Sequence, residues 1–324
     1  MATPDNPLLA TTGIPRFDQI KPEHVEPAII KILEEAEKQL ALIEENINPT
    51  WEGLIKPLEK LSTPFEYAWS PIGHLLNVKN TEKLREAHQK MQPKVVQFGL
   101  RAGQSRSIYD GLIAIRDGLE WDKLDAAERR VITLKIRNAK HSGVGLSGDA
   151  KKRFNEISTE LSRLGTDFMN HVLDATKAYE FIITDKADTE GWPNNLLQLT
   201  SQSYNSEKKT DKSTPESGPW RITLDAPVIA PFLKHSRRRD QREKLLRAYS
   251  TRADSGEWDN QPLIARILLL RKELSGLLGF DNYADLSLDS KMAPSVVAVF
   301  DMLDELFTAS KPHQLKEFKQ LEKT

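Results

Sequence analysis

Apolar residues recur at helical spacing along almost the whole chain, and this periodicity constrains the fold more than any other feature. Val25, Ile29, Ile32, Ala36, Leu40, Ile43 and Ile47 step by three or four, which puts them on one face of a helix. Pro22 suits the first turn of that helix, where its missing N–H leaves no hydrogen bond unmade, and Pro49 lies beyond the end. A second series runs Phe154, Ile157, Leu161, Leu164, Phe168, Val172, and a third runs Leu263, Ile267, Leu270, Leu274, Leu277 before Gly279. Both predict helices buried on one side, the third stopped by its glycine.

Two short pieces read as strand, Tyr179–Thr184 (YEFIIT) and Trp220–Leu224 (WRITL), both β-branched or aromatic and set among turn residues. They can pair as a small ribbon. Between them Ser206–Pro219 has no apolar residue and is expected to be a solvated loop that orders poorly. The fold class expected is all-α, mainly helical with at most a small two-stranded β element.

The glycine-rich break at 142–148, SGVGLSG, separates the helix carrying Val131, Leu134 and Ile136 from the one that follows. It divides the chain into an N-terminal helical domain, 1–145, and a second helical domain, 146–324, with its β element at about 179–225. No repeat with a solenoid period is present. The second domain is expected to be incomplete at its C-terminal end, because Leu315, Phe318 and Leu321 are still in helical phase when the sequence stops at Thr324. That ending suits a chain cut in mid-helix and a natural, frayed terminus equally well.

Charge excludes one class of partner. Lys plus Arg is 46 against 47 Asp plus Glu, a net charge of -1, so the overall field holds the protein to neither nucleic acid nor membrane. The 324 residues include no cysteine, which removes disulfides, thiolate metal sites and cysteine nucleophiles together. The start, MATPDNPLLATTGIP, lacks the apolar core of a signal peptide and the arginines of a transit peptide. A cytosolic protein is expected, or an organellar one whose leader has been trimmed.

Four motifs invite chemistry. Gly143 to Gly148 spells G-x-G-x-x-G, but a dinucleotide site needs a strand leading into it, and here a helix leads in. A helix-to-helix turn with Gly143 as its cap is the expected reading. The basic run Lys234 to Arg247 holds seven Lys/Arg among Asp240, Glu243, Leu245 and Leu246; it reads as a solvated, salt-bridged helix, with carboxylate or RNA binding as alternatives. A helix-borne zinc pair needs histidines at i and i+4. Yet His24, His74, His88, His141, His171, His235 and His313 never share a turn. His171 with Asp174, in FMNHVLDAT, and His313 with Glu317 could each offer two ligands, and neither has a visible third. Serine nucleophile elbows and Walker loops are absent, and Asp301, Asp304 and Glu305 fall on outer helix faces.

Taken in order, IKPEHVEPAI (20–29), AWSPIGHLLNVKNTEKLREA (68–87), HSGVGLSGDAKKRFNEISTELSRL (141–164), HVLDAT (171–176), WRITLDAP (220–227), RDQREKLLRAYSTRA (239–253) and DNQPLIARILLLRKELSGLLGFDNYADLSLDSKMAP (259–294) resemble the N-terminal half of the thimet oligopeptidase and oligopeptidase A family of zinc metallopeptidases. The resemblance covers nearly the whole chain and is nearest to the plant cytosolic and organellar oligopeptidases and bacterial oligopeptidase A. His171 stands where the family usually has asparagine, and Gly191-Trp192-Pro193 where G-L-P is usual.

The resemblance implies channel-forming helical lobes of a zincin-like oligopeptidase that admits short peptides. It also implies a zinc-bound water held by an H-E-x-x-H helix and a downstream glutamate, with the motif's glutamate as general base. In the family that helix lies beyond the point where this sequence stops. No catalytic residue and no metal ligand carries over to any position here, and the substrate-binding positions are unknown. Zinc belongs to the full-length family, and none is expected on this chain. The partners implied are short peptides and the missing C-terminal catalytic half, with no nucleic acid and no membrane. The expected function is the N-terminal part of a zinc-dependent oligopeptidase hydrolysing internal bonds of short peptides in peptide turnover, inactive alone. The alternative is a standalone truncated relative that binds peptides or a partner.

Overall fold

The computed structural model describes residues 6–209 and 212–323. Among them are twelve α-helices, five short 3-10 or π-helical segments and one two-stranded antiparallel sheet, so the chain is mainly α. It divides into two compact units, Met1–Arg163 with Leu269–Thr324, and Leu164–Leu268.

In the first unit α1 (Pro22–Glu45) starts at Pro22, as the spacing predicts, and buries Val25, Ala28, Ile29, Ile32, Ala36 and Leu40. That one stripe serves two cores. Its first half packs with Ala68, Ile72 and Leu75 of α2 (Lys56–Val78) and with Leu84 and Met91 of α3 (Glu82–Gly103). Its second half packs with Phe98 of α3, with Ile108, Leu112 and Ile115 of α4 (Arg106–Asp117), and with Ile132 and Ile136 of α5 (Ala126–His141). The helix starts are written in the sequence. Thr81 and Ser105 cap α3 and α4 through their hydroxyls, and Asp125 with Glu128 forms a reciprocal capping box on α5.

The 143–148 stretch is the turn from α5 into α6 (Gly148–Ala178). Gly143 takes φ +80° just past the cap of α5 and donates its N–H to the Lys140 carbonyl at 2.9 Å, the left-handed stop that glycine adopts without a Cβ penalty. A helix enters these glycines and a helix leaves them, so they do not have the strand-loop-helix setting of a dinucleotide site.

The second unit is built on the ribbon. β1 (Phe181–Ile183) pairs with β2 (Trp220–Ile222), Phe181 opposite Ile222 and Ile183 opposite Trp220. Ile183, Trp220 and Ile222 face a core shared with Leu196 of α7 (Asn194–Lys208), Val228, Ile229 and Phe232 of α8 (Ala226–His235), and Leu245 of α9 (Arg239–Ser250). Trp192, the departure from G-L-P, fills this core edge-on to Phe232 at 5.2 Å and to Trp220 at 6.4 Å.

The solvated loop expected over Ser206–Pro219 is exposed along most of its described residues, but parts of it are structured. Helix α7 runs on to Lys208, and Ser213 is buried, exchanging hydrogen bonds with the Asn205 side chain at 2.9 and 3.0 Å and donating its hydroxyl to the Pro219 carbonyl at 2.6 Å. Polar composition signals the lack of a core; it does not forbid a turn closed by side-chain hydrogen bonds. Thr210 and Asp211, in the same stretch, lie outside the described residues.

Gly191 is held at φ +85°, and a Cβ there would meet the His235 carbonyl oxygen at 2.5 Å. Gly191→Ala therefore adds left-handed strain to a clash with backbone that cannot rotate away. It should cost at least about 2 kcal/mol, read as a lower urea midpoint with an unchanged m-value. A wild-type midpoint would refute this placement of the α8 end.

Helix α10 (Gln261–Leu277) ends as predicted, with Gly279 at φ +81° and the Phe280 N–H bonded to the Ser275 carbonyl at 2.9 Å. Its expected face is only partly covered, with Leu270 fully buried and Leu263, Ile267, Leu274 and Leu277 half-buried. After α11 (Tyr283–Asp289) comes α12 (Val296–Leu321), capped by Ser295 and 26 residues long, with no buried residue.

Candidate functional site

His171, His141 and His88 have packing roles, and His313 lies on an open helix. His171 on α6 pairs its Nδ1 with the Asn260 Oδ1 at 2.9 Å, while the Asn260 Nδ2 donates to the Phe168 carbonyl at 3.2 Å and its N–H to the Ala253 carbonyl at 3.0 Å. Asn260 is buried, so this bridge fastens the 253–260 turn to α6 and gives the ring a structural use. His141 Nε2 lies 2.7 Å from Asp289 Oδ2, with Phe280 edge-on to the ring at 5.8 Å. Arg137 donates to the Asp289 carbonyl at 3.0 Å, so α5 and the end of α11 are tied twice. His88 is buried on α3, stacked on Trp69 at 4.6 Å, and burial pushes its pKa down to about 4. His313 and Glu317 sit on the open helix α12.

A protein zinc site needs three or four ligands around one ion. Among the described residues no three of His, Asp and Glu come together in such a group. These residues do not fit a zinc ion, and no hydrolytic step is derived through them.

The basic run forms the end of α8 and α9, and much of its charge is spent locally. Arg238 pairs with Asp188 and, at 2.8 Å, with Asp240. Arg247 pairs with Glu243 at 2.8 Å, and Arg242 donates to the Ser236 carbonyl at 2.6 Å. Lys244 lies 4.1 Å over the Phe181 ring. The run is solvated and salt-bridged, as its spacing predicts, but it is broken at residues 236–238 between two helices and does not form a single one. A second exposed network, Arg101 with Glu44 and Ser105, links α3 to α1, and the Arg101 guanidinium holds the Glu44 carboxyl below its ordinary range.

The feature without an internal explanation is α12. Val297, Phe300, Leu303, Phe307, Leu315 and Phe318 are each about half to two-thirds exposed, from 48% to 67%. A helix carrying this much apolar surface ordinarily buries it. Sequence reading marks only Leu315, Phe318 and Leu321 on this helix, because periodicity shows that a face is apolar and not whether anything covers it.

Residues 29–151 match the model of the Neurolysin/Thimet oligopeptidase N-terminal domain. Residues 232–324, from the end of α8 through α12, match that of Peptidase family M3. The chain belongs to peptidase family M3. Among its M3 relatives, the probable cytosolic oligopeptidase A of Arabidopsis thaliana is 40% identical over 316 residues, 98% of this chain and 45% of the relative. The organellar oligopeptidase A, chloroplastic/mitochondrial, of the same plant is also 40% identical over 316 residues, 98% of this chain and 40% of the relative. Oligopeptidase A of Haemophilus influenzae is 37% identical over 321 residues, 98% and 46% respectively. This M3 chain thus spans less than half the length of the curated relatives it matches. Among its described residues no helix is long and apolar enough to cross a membrane.

Proposed function

We propose that this chain is the N-terminal part of a zinc-dependent oligopeptidase that cleaves internal bonds of short peptides in peptide turnover, working in the cytosol, and that alone it holds no zinc and turns over no peptide. The observation that carries the reading is the alignment with oligopeptidase A along 98% of this chain but under half of each relative. The open apolar face of α12 supports it, because a catalytic half packed there would bury surface that water now meets. The division near residue 145 belongs to the same reading and is supported by the N-terminal domain match ending at 151. Near-neutral net charge and the local pairing of the basic run support peptide rather than nucleic acid as the partner.

The test is direct. A dialysed sample of the chain should contain no stoichiometric zinc and should leave an internally quenched peptide intact. Stoichiometric metal together with cleavage abolished by a chelator would overturn the inactive-alone reading. The size of the native protein in its source cells, read by immunoblot, separates the alternatives. A band much heavier than this chain supports the oligopeptidase, whereas a band at its own mass supports a standalone binding module.

A further inference from the structure

We propose that the open cavity between α2, α3, α4 and α5 binds a small amphipathic carboxylate, with its apolar body inside and its carboxylate against Lys135. The inference is independent of the oligopeptidase reading. The cavity measures about 460 Å³, within the range of small-molecule sites. Its walls are Leu61 and Phe65 of α2, Phe98 of α3, and Ile108 and Leu112 of α4, and the last three belong to the buried core. One wall differs. Helix α5 turns Lys135, Asn138 and its cap Ser142 toward the cavity from a single face.

Lys135 is half-buried and has no ion pair among the described residues. A cation so placed against an apolar space is attracted to a carboxylate more strongly than one in open water. The carboxylate on the rim, Glu66, is exposed and accepts the Ser62 hydroxyl at 3.2 Å, so solvent screens it better than the wall screens Lys135. Asn138 and Ser142 add an amide and a hydroxyl to the same wall.

Glycine in a helix interior is unfavourable relative to alanine, yet α3 places Gly99 and Gly103 one turn apart along this cavity. Packing explains Gly103, where a Cβ would lie 2.7 Å from the Ser142 Oγ. Packing does not explain Gly99, where a Cβ would meet nothing within 4 Å. The missing side chain at 99 leaves the space open.

Calorimetric titration of the full chain with decanoate, and with decanol as its neutral counterpart, tests the site. One saturable decanoate site is expected, lost in Gly99→Leu, whose Cβ meets nothing within 4 Å and whose branch is placed to compete with the ligand. Lys135→Met should weaken decanoate roughly tenfold and leave decanol unchanged. Thermal melting checks that the variants fold, and if Gly99→Leu does not, Leu61→Trp blocks from the facing wall. The proposal fails if decanoate does not saturate at millimolar concentration. It also fails if Gly99→Leu binds as well as wild type, which would put the ligand elsewhere, such as on α12. Finally, it fails if Lys135→Met treats acid and alcohol alike.

Discussion

Trp220→Ala should destabilise the chain by about 3–5 kcal/mol, the largest loss expected of any single substitution here. Trp220 is fully buried and is the bulkiest such side chain in the protein. Its strand is only three residues long and pairs with one neighbour, so backbone hydrogen bonds alone cannot hold the ribbon in water. What holds it is the indole, edge-on to Trp192 and seated in the core of α7, α8 and α9. Removing it leaves a cavity lined by residues from several elements that cannot all move in together. Denaturant unfolding followed by far-ultraviolet circular dichroism measures the effect. A loss under about 1 kcal/mol would mean that the site collapses freely and that the ribbon stands without its tryptophan. Trp192→Leu should cost less, because it keeps a large apolar side chain and Trp192 is slightly more exposed than Trp220.

Acidification should act through His88. Its ring is stacked on Trp69 and its Nδ1 is buried without a hydrogen-bond partner among the described residues, and burial lowers its pKa from 6.5 to about 4. Above pH 6.5 the ring is neutral in both states and the folded chain keeps its full stability. Between 6.5 and about 4 the unfolded chain binds a proton that the folded chain refuses, so stability falls as the pH falls. A shift of this size corresponds to about 3 kcal/mol across the window. Glu44, held low by Arg101, loses its contribution only below its ordinary 4.5, so it does not fill the same window. His88→Phe keeps the aromatic stack and removes the titration; it should match wild type at pH 7 and exceed it at pH 4. Equal pH dependence in both proteins would show that the ring is protonated while buried.

The helices were legible because their apolar spacing coincides with burial, as in α1, where Val25, Ile29, Ile32, Ala36 and Leu40 are both the predicted stripe and the buried one. The ribbon was legible because YEFIIT and WRITL contain the only β-branched and aromatic runs among turn residues. Three things were not legible, each because it depends on residues distant in sequence. His171 and Asn260 meet across 89 positions, so nothing local distinguishes a packing histidine from a ligand. The Ser213 turn closes through hydrogen bonds that a hydrophobicity pattern does not record. The α5 wall of the cavity is polar residues on an otherwise ordinary helix, and only the approach of α2, α3 and α4 sets Lys135 beside an apolar cavity.

The bare face of α12 divides the thermodynamics of this chain in two. Unfolding of the packed cores is unimolecular, so its melting temperature does not depend on how much protein is in the tube. In a sample of this chain alone, any cover for Phe300, Phe307 and Phe318 has to come from a second molecule, and a melting temperature tied to association drifts with dilution. Core substitutions such as Trp220→Ala should move the first quantity at every concentration. Substitutions on α12 should leave it alone and change only the slope against concentration, so stability measured at a single concentration does not register the chain's most exposed helix.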